Sequence, residues 1–284
     1  MILPERVGVI GGGRMGAGIA HAFLLAGSAV TLVERDGASA HAAGQRITAS
    51  LQRSHERGAT ERPPAEVAPL LRVTTDAGDL GGSALVVEAV FEDRDVKTAA
   101  LRRAEAVLDV DAVLASNTSA IPIGDLAAGL DRPDRLLGLH FFNPVPSSAL
   151  VEIVVAAQTA PGLVETAREW VHALGKTPIV VRDAPGFASS RLGVALALEA
   201  IRMLEDGVAT ATDIDAAMEL GYRHATGPLR TTDIVGLDVR LDIAEQLHAA
   251  LGERFAPPEL LRRLVADGHL GRKSGRGFYE WSTG

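Results

Sequence analysis

The chain has 284 residues, enough for two domains of ordinary size, and its 47% hydrophobic and 23% charged residues are those of a globular protein. A formal net charge of -8 argues against a nucleic-acid partner, whose phosphates want clustered lysine and arginine. The absence of cysteine excludes disulfides, zinc–thiolate sites and cysteine nucleophiles.

In chain order, Arg6-Val7-Gly8-Val9-Ile10 runs straight into glycines with no leader-like pattern. No apolar run reaches the roughly 18 residues that span a bilayer, so the expectation is a soluble, cytoplasmic chain with no membrane partner. Short β-branched runs then alternate with helical stretches. Strands are predicted at Val7–Ile10, Ala29–Val33, Ala84–Ala89, Ala112–Ala115, Arg135–His140, Val151–Val155 and Pro178–Val181, and helices notably at Met15–Ala26, Val96–Val107 and Leu163–Leu174. Residues Arg53–Pro69 read as a helix end and a charged loop. Such alternation implies βαβ units and a mostly parallel, doubly wound sheet, with room for antiparallel additions late in the region.

Beyond Asp183-Ala184-Pro185-Gly186 the strand signal ends. Leu192–Leu204 is rich in alanine and leucine, and Thr212-x-x-Asp215 reads as a capping box. Leu237, Leu241, Ala244, Leu247 and Leu251 fall on one helical face. The expected organisation is an α/β domain of Rossmann type over residues 1–183 and a smaller all-α domain over 184–284.

Two places carry chemistry. Gly11-Gly12-Gly13-Arg14-Met15-Gly16 fits the G-x-G-x-x-G dinucleotide fingerprint in its proper setting, after a strand and opening a helix. Gly11 serves the tight turn, Gly13 the approach of the pyrophosphate and Gly16 the packing of helix on strand, while the helix N-terminus favours phosphate. Glu34 ends the second strand 18 positions after Gly16, where a carboxylate accepts from ribose hydroxyls and repels a 2′-phosphate. NAD is therefore expected over NADP, with Arg35 as a softening neighbour. His140 stands at a strand end in Leu139-His140-Phe141-Phe142-Asn143-Pro144, with Glu152 on the next strand. A histidine with a carboxylate partner makes a general base. The residues alone leave open a histidine simply packed at a strand terminus. The remaining histidines make no H-E-x-x-H pattern, and no metal is expected.

Nearly the whole length resembles the 3-hydroxyacyl-CoA dehydrogenase family, through VVEAVFEDRDVK at 86–97, ASNTS at 115–119, GLHFFNPVP at 138–146, LVEI at 150–153, GKTPIVVRDAPGF at 175–187, GPLRTTDIVGL at 227–237 and LGRKSGRGFY at 270–279. The resemblance implies an NAD-binding domain, a helical dimerisation domain and an acyl-CoA substrate. It makes His140 the general base, Glu152 its partner and Ser119 a hydrogen-bonding contact of the substrate's 3-oxygen. It makes Glu92, Lys97, Asn143 and Lys273 cofactor contacts beside Gly11, Gly13, Arg14, Met15, Gly16 and Glu34. Ser50 and Arg57 fall where the family holds the CoA tail. Read without the family, Ser119 is a helix cap, Lys97 a solvated helix residue and Lys273 part of a surface turn. One departure stands out: Ser190 occupies the position of a family asparagine that helps form the substrate site, with one donor instead of two. A second, Ala225 where the family usually has proline, reads as a loop adjustment. Ser190 and the altered CoA region leave room for the same chemistry on an acyl-carrier-protein thioester or on a free hydroxy acid, as in gulonate and carnitine dehydrogenases. A rival of another class is a catalytically silent NAD-binding protein of the lens-protein kind.

Overall fold

The computed structural model describes residues 3–282. They divide into two compact units, the first ending at Ala184 and the second starting at Pro185.

The first unit holds β1 (Arg6–Ile10), α1 (Arg14–Leu25), β2 (Ala29–Val33), α2 (Gly37–Glu56), α3 (Pro64–Val67), β3 (Leu71–Thr74), β4 (Leu85–Glu88), α4 (Arg94–Glu105), β5 (Val113–Ser116), α5 (Ile123–Ala127), β6 (Leu136–Phe141), β7 (Leu150–Val155), α6 (Pro161–Ala173) and β8 (Thr177–Arg182). They form one eight-stranded sheet in the order β3-β2-β1-β4-β5-β6-β7-β8. All neighbours pair parallel except β6 and β7. Every residue of β4, β5 and β6 is buried, as expected of central parallel strands covered on both faces. Strand order reverses at β1 and β4, and the crevice beyond their carboxyl ends is where such sheets bind ligands. Helix starts follow local chemistry: Asp36 caps α2 by accepting from Ser39 N at 2.7 Å, and Asp93 caps α4 by accepting from Val96 N at 2.9 Å. Strand β3 was not among the expected strands. Its Leu-Arg-Val-Thr stretch carries two apolar residues and none fully buried, because it is an edge strand whose existence depends on pairing with β2.

The second unit contains α7 (Ser189–Glu205), α8 (Ala211–Tyr222), α9 (Pro228–Val235), α10 (Leu237–Leu251) and α11 (Glu259–Ala266). Its core joins Val194, Leu198, Ile214, Leu229, Leu247 and Leu261. The expected capping box is corrected here. Thr210 caps α8, accepting from Asp213 N at 3.2 Å, while Asp215 is buried and caps α9 through Leu229 N at 2.8 Å and Arg230 N at 2.9 Å. The carboxylate that looked like the far end of one helix start serves another. The C-terminal segment is pinned by a second buried carboxylate, Asp233, which accepts from Phe278 N and Tyr279 N at 2.9 Å and from Trp281 Nε1 at 2.7 Å. Cβ atoms at Gly271 and Gly277 would overlap Asp233, so glycine lets the tail approach this closely.

Candidate active site

The turn after β1 has the geometry its glycines permit. Gly11 has φ +89°, and a Cβ there would meet Ala89 O at 2.9 Å; one at Gly16 would overlap Gly11 O. Gly13, the N-cap of α1, has nothing within 4 Å of its would-be Cβ, so backbone and helix N-terminus open onto the crevice. A cavity of about 720 Å³ lies there, lined among others by Gly11, Gly13, Arg14, Met15, Glu34 and Phe91. Phe91 is 79% exposed, an apolar surface for a flat ring. An open cradle for a pyrophosphate, with a carboxylate at the ribose end, fits a dinucleotide. The Glu34 carboxylate accepts from Gly12 N at 2.7 Å and Arg35 N at 3.1 Å. Arg46, on α2, donates to Gly12 O at 2.5 Å, so both polar backbone groups of Gly12 are held.

Strand register explains the spacing of the histidine and the glutamate. His140 and Glu152 are directly opposed partners of the antiparallel β6–β7 pair. Their side chains share one face, and His140 Nδ1 lies 2.7 Å from Glu152 Oε2. His140 is 5% exposed and Glu152 fully buried, so the carboxylate acts in a weakly screened environment. The Phe142 ring stands 4.5 Å from the imidazole, centroid to centroid, and limits its tilt.

The ends of β4 and β5 carry a second polar network. Glu92 Oε1 accepts from Thr118 Oγ1 at 2.5 Å and Ser119 N at 2.8 Å, and its Oε2 lies 3.1 Å from Lys97 Nζ. Ser119 is half-buried in this turn, and α5 starts later, with Pro122 as its N-cap, so Ser119 caps no helix. Lys97 is not a solvated helix residue. It is buried, its ammonium 2.8 Å from the buried Glu88 carboxylate, which also accepts from Ser116 Oγ at 2.6 Å and Val90 N at 2.6 Å. Glu88 and Ser116 were missed by sequence reasoning. The one available signal was an acidic residue ending an otherwise apolar strand.

Ser50, Arg57 and Asn143 meet in a second cavity of about 510 Å³, formed by α1, α2 and the β6–β7 connection. Asn143 therefore keeps company with the residues matched to the CoA tail. Arg14 lines both cavities, and Arg46 and Arg53 join this one. Among the described residues none of these four arginines has a carboxylate within ion-pair reach. His21 lies in the same wall, buried, with Nε2 3.1 Å from Ser54 Oγ. Burial, with help from Lys176 and Arg53, lowers its pKa to about 4. Arg46, Arg53 and His21 were not singled out in the sequence, since helical spacing alone does not say what their face looks onto.

Two of the expected site residues belong to the second unit. Ser190 is half-buried in the first turn of α7, and Lys273 pairs with Asp238 at 2.5 Å on the unit's surface.

Residues 6–184 match the family model described as 3-hydroxyacyl-CoA dehydrogenase, NAD binding domain, and residues 186–281 match that of the C-terminal domain. A 3-hydroxybutyryl-CoA dehydrogenase of Mycobacterium tuberculosis is 45% identical over 281 residues, covering 98% of each chain. A mitochondrial hydroxyacyl-coenzyme A dehydrogenase of Mus musculus is 38% identical over 99% of this chain and 92% of its own. The crystal structure of an (S)-3-hydroxybutyryl-CoA dehydrogenase from Ralstonia eutropha superposes with a TM-score of 0.93 at 36% identity, over 99% of this chain and 100% of that one. With both halves matched in order and relatives similar from end to end, this chain belongs to the 3-hydroxyacyl-CoA dehydrogenase family of NAD-dependent oxidoreductases.

Proposed function

We propose that the chain interconverts a short L-3-hydroxyacyl-CoA and its 3-ketoacyl-CoA, with His140 as general base. The observation that carries this reading is the 2.7 Å contact between His140 Nδ1 and Glu152 at the carboxyl edge of the sheet that bears the glycine turn. With Nδ1 engaged by the carboxylate, the opposite ring nitrogen takes the substrate's hydroxyl proton, and Glu152 offsets the charge that develops on the imidazole. Bound nicotinamide supplies the hydride acceptor. Ser119 donates to the 3-oxygen, its turn braced by Glu92. Gly11, Gly13, Arg14, Met15, Gly16 and Glu34 hold the cofactor and Glu92 and Lys97 flank it; for Asn143 and Lys273 a cofactor role rests on the family resemblance alone, since Asn143 lies in the second cavity and Lys273 pairs with Asp238. For Ser190 a role toward the acyl portion rests on the family resemblance alone. Positioning donor and acceptor supplies much of the remaining acceleration.

The second cavity favours CoA as the handle. Arg14, Arg46, Arg53 and Arg57 with Ser50 form a basic wall suited to several phosphates, whereas a carrier-protein arm brings a single phosphodiester and a free hydroxy acid none. The test is the rate of NADH oxidation with acetoacetyl-CoA, acetoacetate and an acetoacetyl carrier protein. The CoA thioester is expected to have the highest kcat/KM by at least about tenfold; equal or better turnover of the free acid overturns the reading. We also propose that the protein works in the cytoplasm, as a homodimer joined through the second unit, where Val208, Leu220 and Tyr222 are exposed.

A further inference from the structure

Glu88 is the last residue of β4 and is fully buried. The strand residues before it, Leu85, Val86 and Val87, are apolar, as a central strand requires. A carboxylate placed there loses its water, and three donors replace it: Val90 N at 2.6 Å and Lys97 Nζ at 2.8 Å on Oε1, and Ser116 Oγ at 2.6 Å on Oε2. Lys97 is buried as well, and its ammonium stands between two carboxylates, Glu88 at 2.8 Å and Glu92 at 3.1 Å. Glu92 alone would balance Lys97. Glu88 is the member that makes the cluster anionic.

Register places this charge at the crevice. Glu88 is the strand partner of Ile10, which leads into the glycine turn, and of Ser116, the last residue of β5. The next carbonyl, Ala89 O, is the atom that a Cβ at Gly11 would meet at 2.9 Å. Sheet order gives a bound dinucleotide its direction. With the pyrophosphate on the turn after β1 and the adenosine ribose at Glu34, just beyond β2, the other half of the molecule is directed to the opposite side. There β4, β5 and β6 end, and there His140 stands. That half is the one whose charge changes: the oxidised nicotinamide ring is positive and the reduced ring neutral. An anionic cluster beneath it favours the oxidised form, and burial keeps the field from being screened.

We propose that Glu88 sets the redox preference of cofactor binding, raising affinity for the oxidised relative to the reduced dinucleotide through the charge it adds to the Lys97–Glu92 pair. This rests on the reading in which Glu92 and Lys97 flank the bound cofactor. The quantity that tests it is the ratio of the dissociation constant of NAD+ to that of NADH, with NADH measured by fluorescence and NAD+ by competition against it, in the absence of substrate. Glu88→Gln keeps the size of the side chain and an acceptor for Lys97 while removing the charge, and should raise the ratio by at least about threefold. Glu88→Asp, which keeps the charge, should hold the native ratio even where it weakens both forms. If Glu88→Gln does not fold, as judged from its melting temperature, the decision falls to Lys97→Gln, which leaves the two carboxylates and should lower the ratio by at least about threefold. Loss of shape alone weakens both forms equally. A smaller change, a change of the opposite sign, or a rise in Glu88→Asp as large as in Glu88→Gln overturns the role of Glu88 and leaves the dehydrogenase reading standing. A native protein that binds neither form removes that reading and this role with it.

Discussion

At the residue scale, the proposed chemistry rests on the pair on β6 and β7. Replacing His140 by Gln removes the proton acceptor and should lower kcat by about 10²–10⁴-fold, with NADH affinity by fluorescence near that of the native protein, since the glycine turn and Glu34 lie on other strands. Glu152→Gln should lower kcat less, because an amide still orients the ring but does not stabilise its charge. Near-native kcat in His140→Gln contradicts the assignment. His21 makes a pH prediction of a different kind. Its folded pKa, about 4, lies below its ordinary 6.5, so between these values the unfolded chain takes up a proton that the folded one refuses. The stability contributed by neutral His21 is fully present above pH 6.5 and is lost as the pH falls toward 4. Urea unfolding at a series of pH values should show this decline, and His21→Gln should flatten it; an unchanged slope in the variant assigns the acid sensitivity elsewhere.

At the scale of elements, capping was only partly legible. Thr210, Thr212 and Asp215 all sit near the start of α8, and a threonine followed three residues later by an acid is a reasonable signal. The helix begins two residues earlier than that signal suggests, because Asp215 is drawn inward to cap α9 and to accept from Tyr279 OH at 2.7 Å. Burial first, and then that contact, push the Tyr279 pKa well above its ordinary value. Thr210→Ala should therefore cost about 1 kcal/mol of unfolding free energy, while Thr212→Ala should be close to neutral. Equal costs at the two positions would show that the cap is shared. By contrast, the first βαβ unit was legible throughout, since strand, glycine turn, helix and acidic strand end each have a short-range signature.

For the whole molecule, the interest lies in the second unit. The run Leu192–Leu204 is rich in alanine and leucine, and α7 spends most of it inward: Val194, Ala197, Leu198, Ala200 and Ile201 are buried, and Leu192 is the large residue left 70% exposed. The proposed dimer face is better drawn on α8 and the turn before it, where Leu220 is 83%, Tyr222 76% and Val208 64% exposed. Sedimentation at micromolar concentration should give the mass of two chains, and Leu220→Asp should shift the equilibrium toward one. A native protein that sediments as a monomer removes the proposal.

By itself, the sequence determined the class of fold and the dinucleotide turn, because each depends on neighbours within a few residues: strand period and glycine conformation. Only the tertiary structure decided who meets whom. His140 faces Glu152 because β6 and β7 pair in one antiparallel register, and a slip of one residue would turn the two side chains to opposite faces. Lys97 is buried because α4 packs with β4 and brings it to Glu88, nine positions away along the chain. The arginines of the second cavity converge from α1 and α2, and Arg240 finds its place because α7 carries a glycine opposite it. Such pairings follow from register and packing between distant segments, where a periodic pattern fixes which face a residue occupies and leaves its partner undetermined.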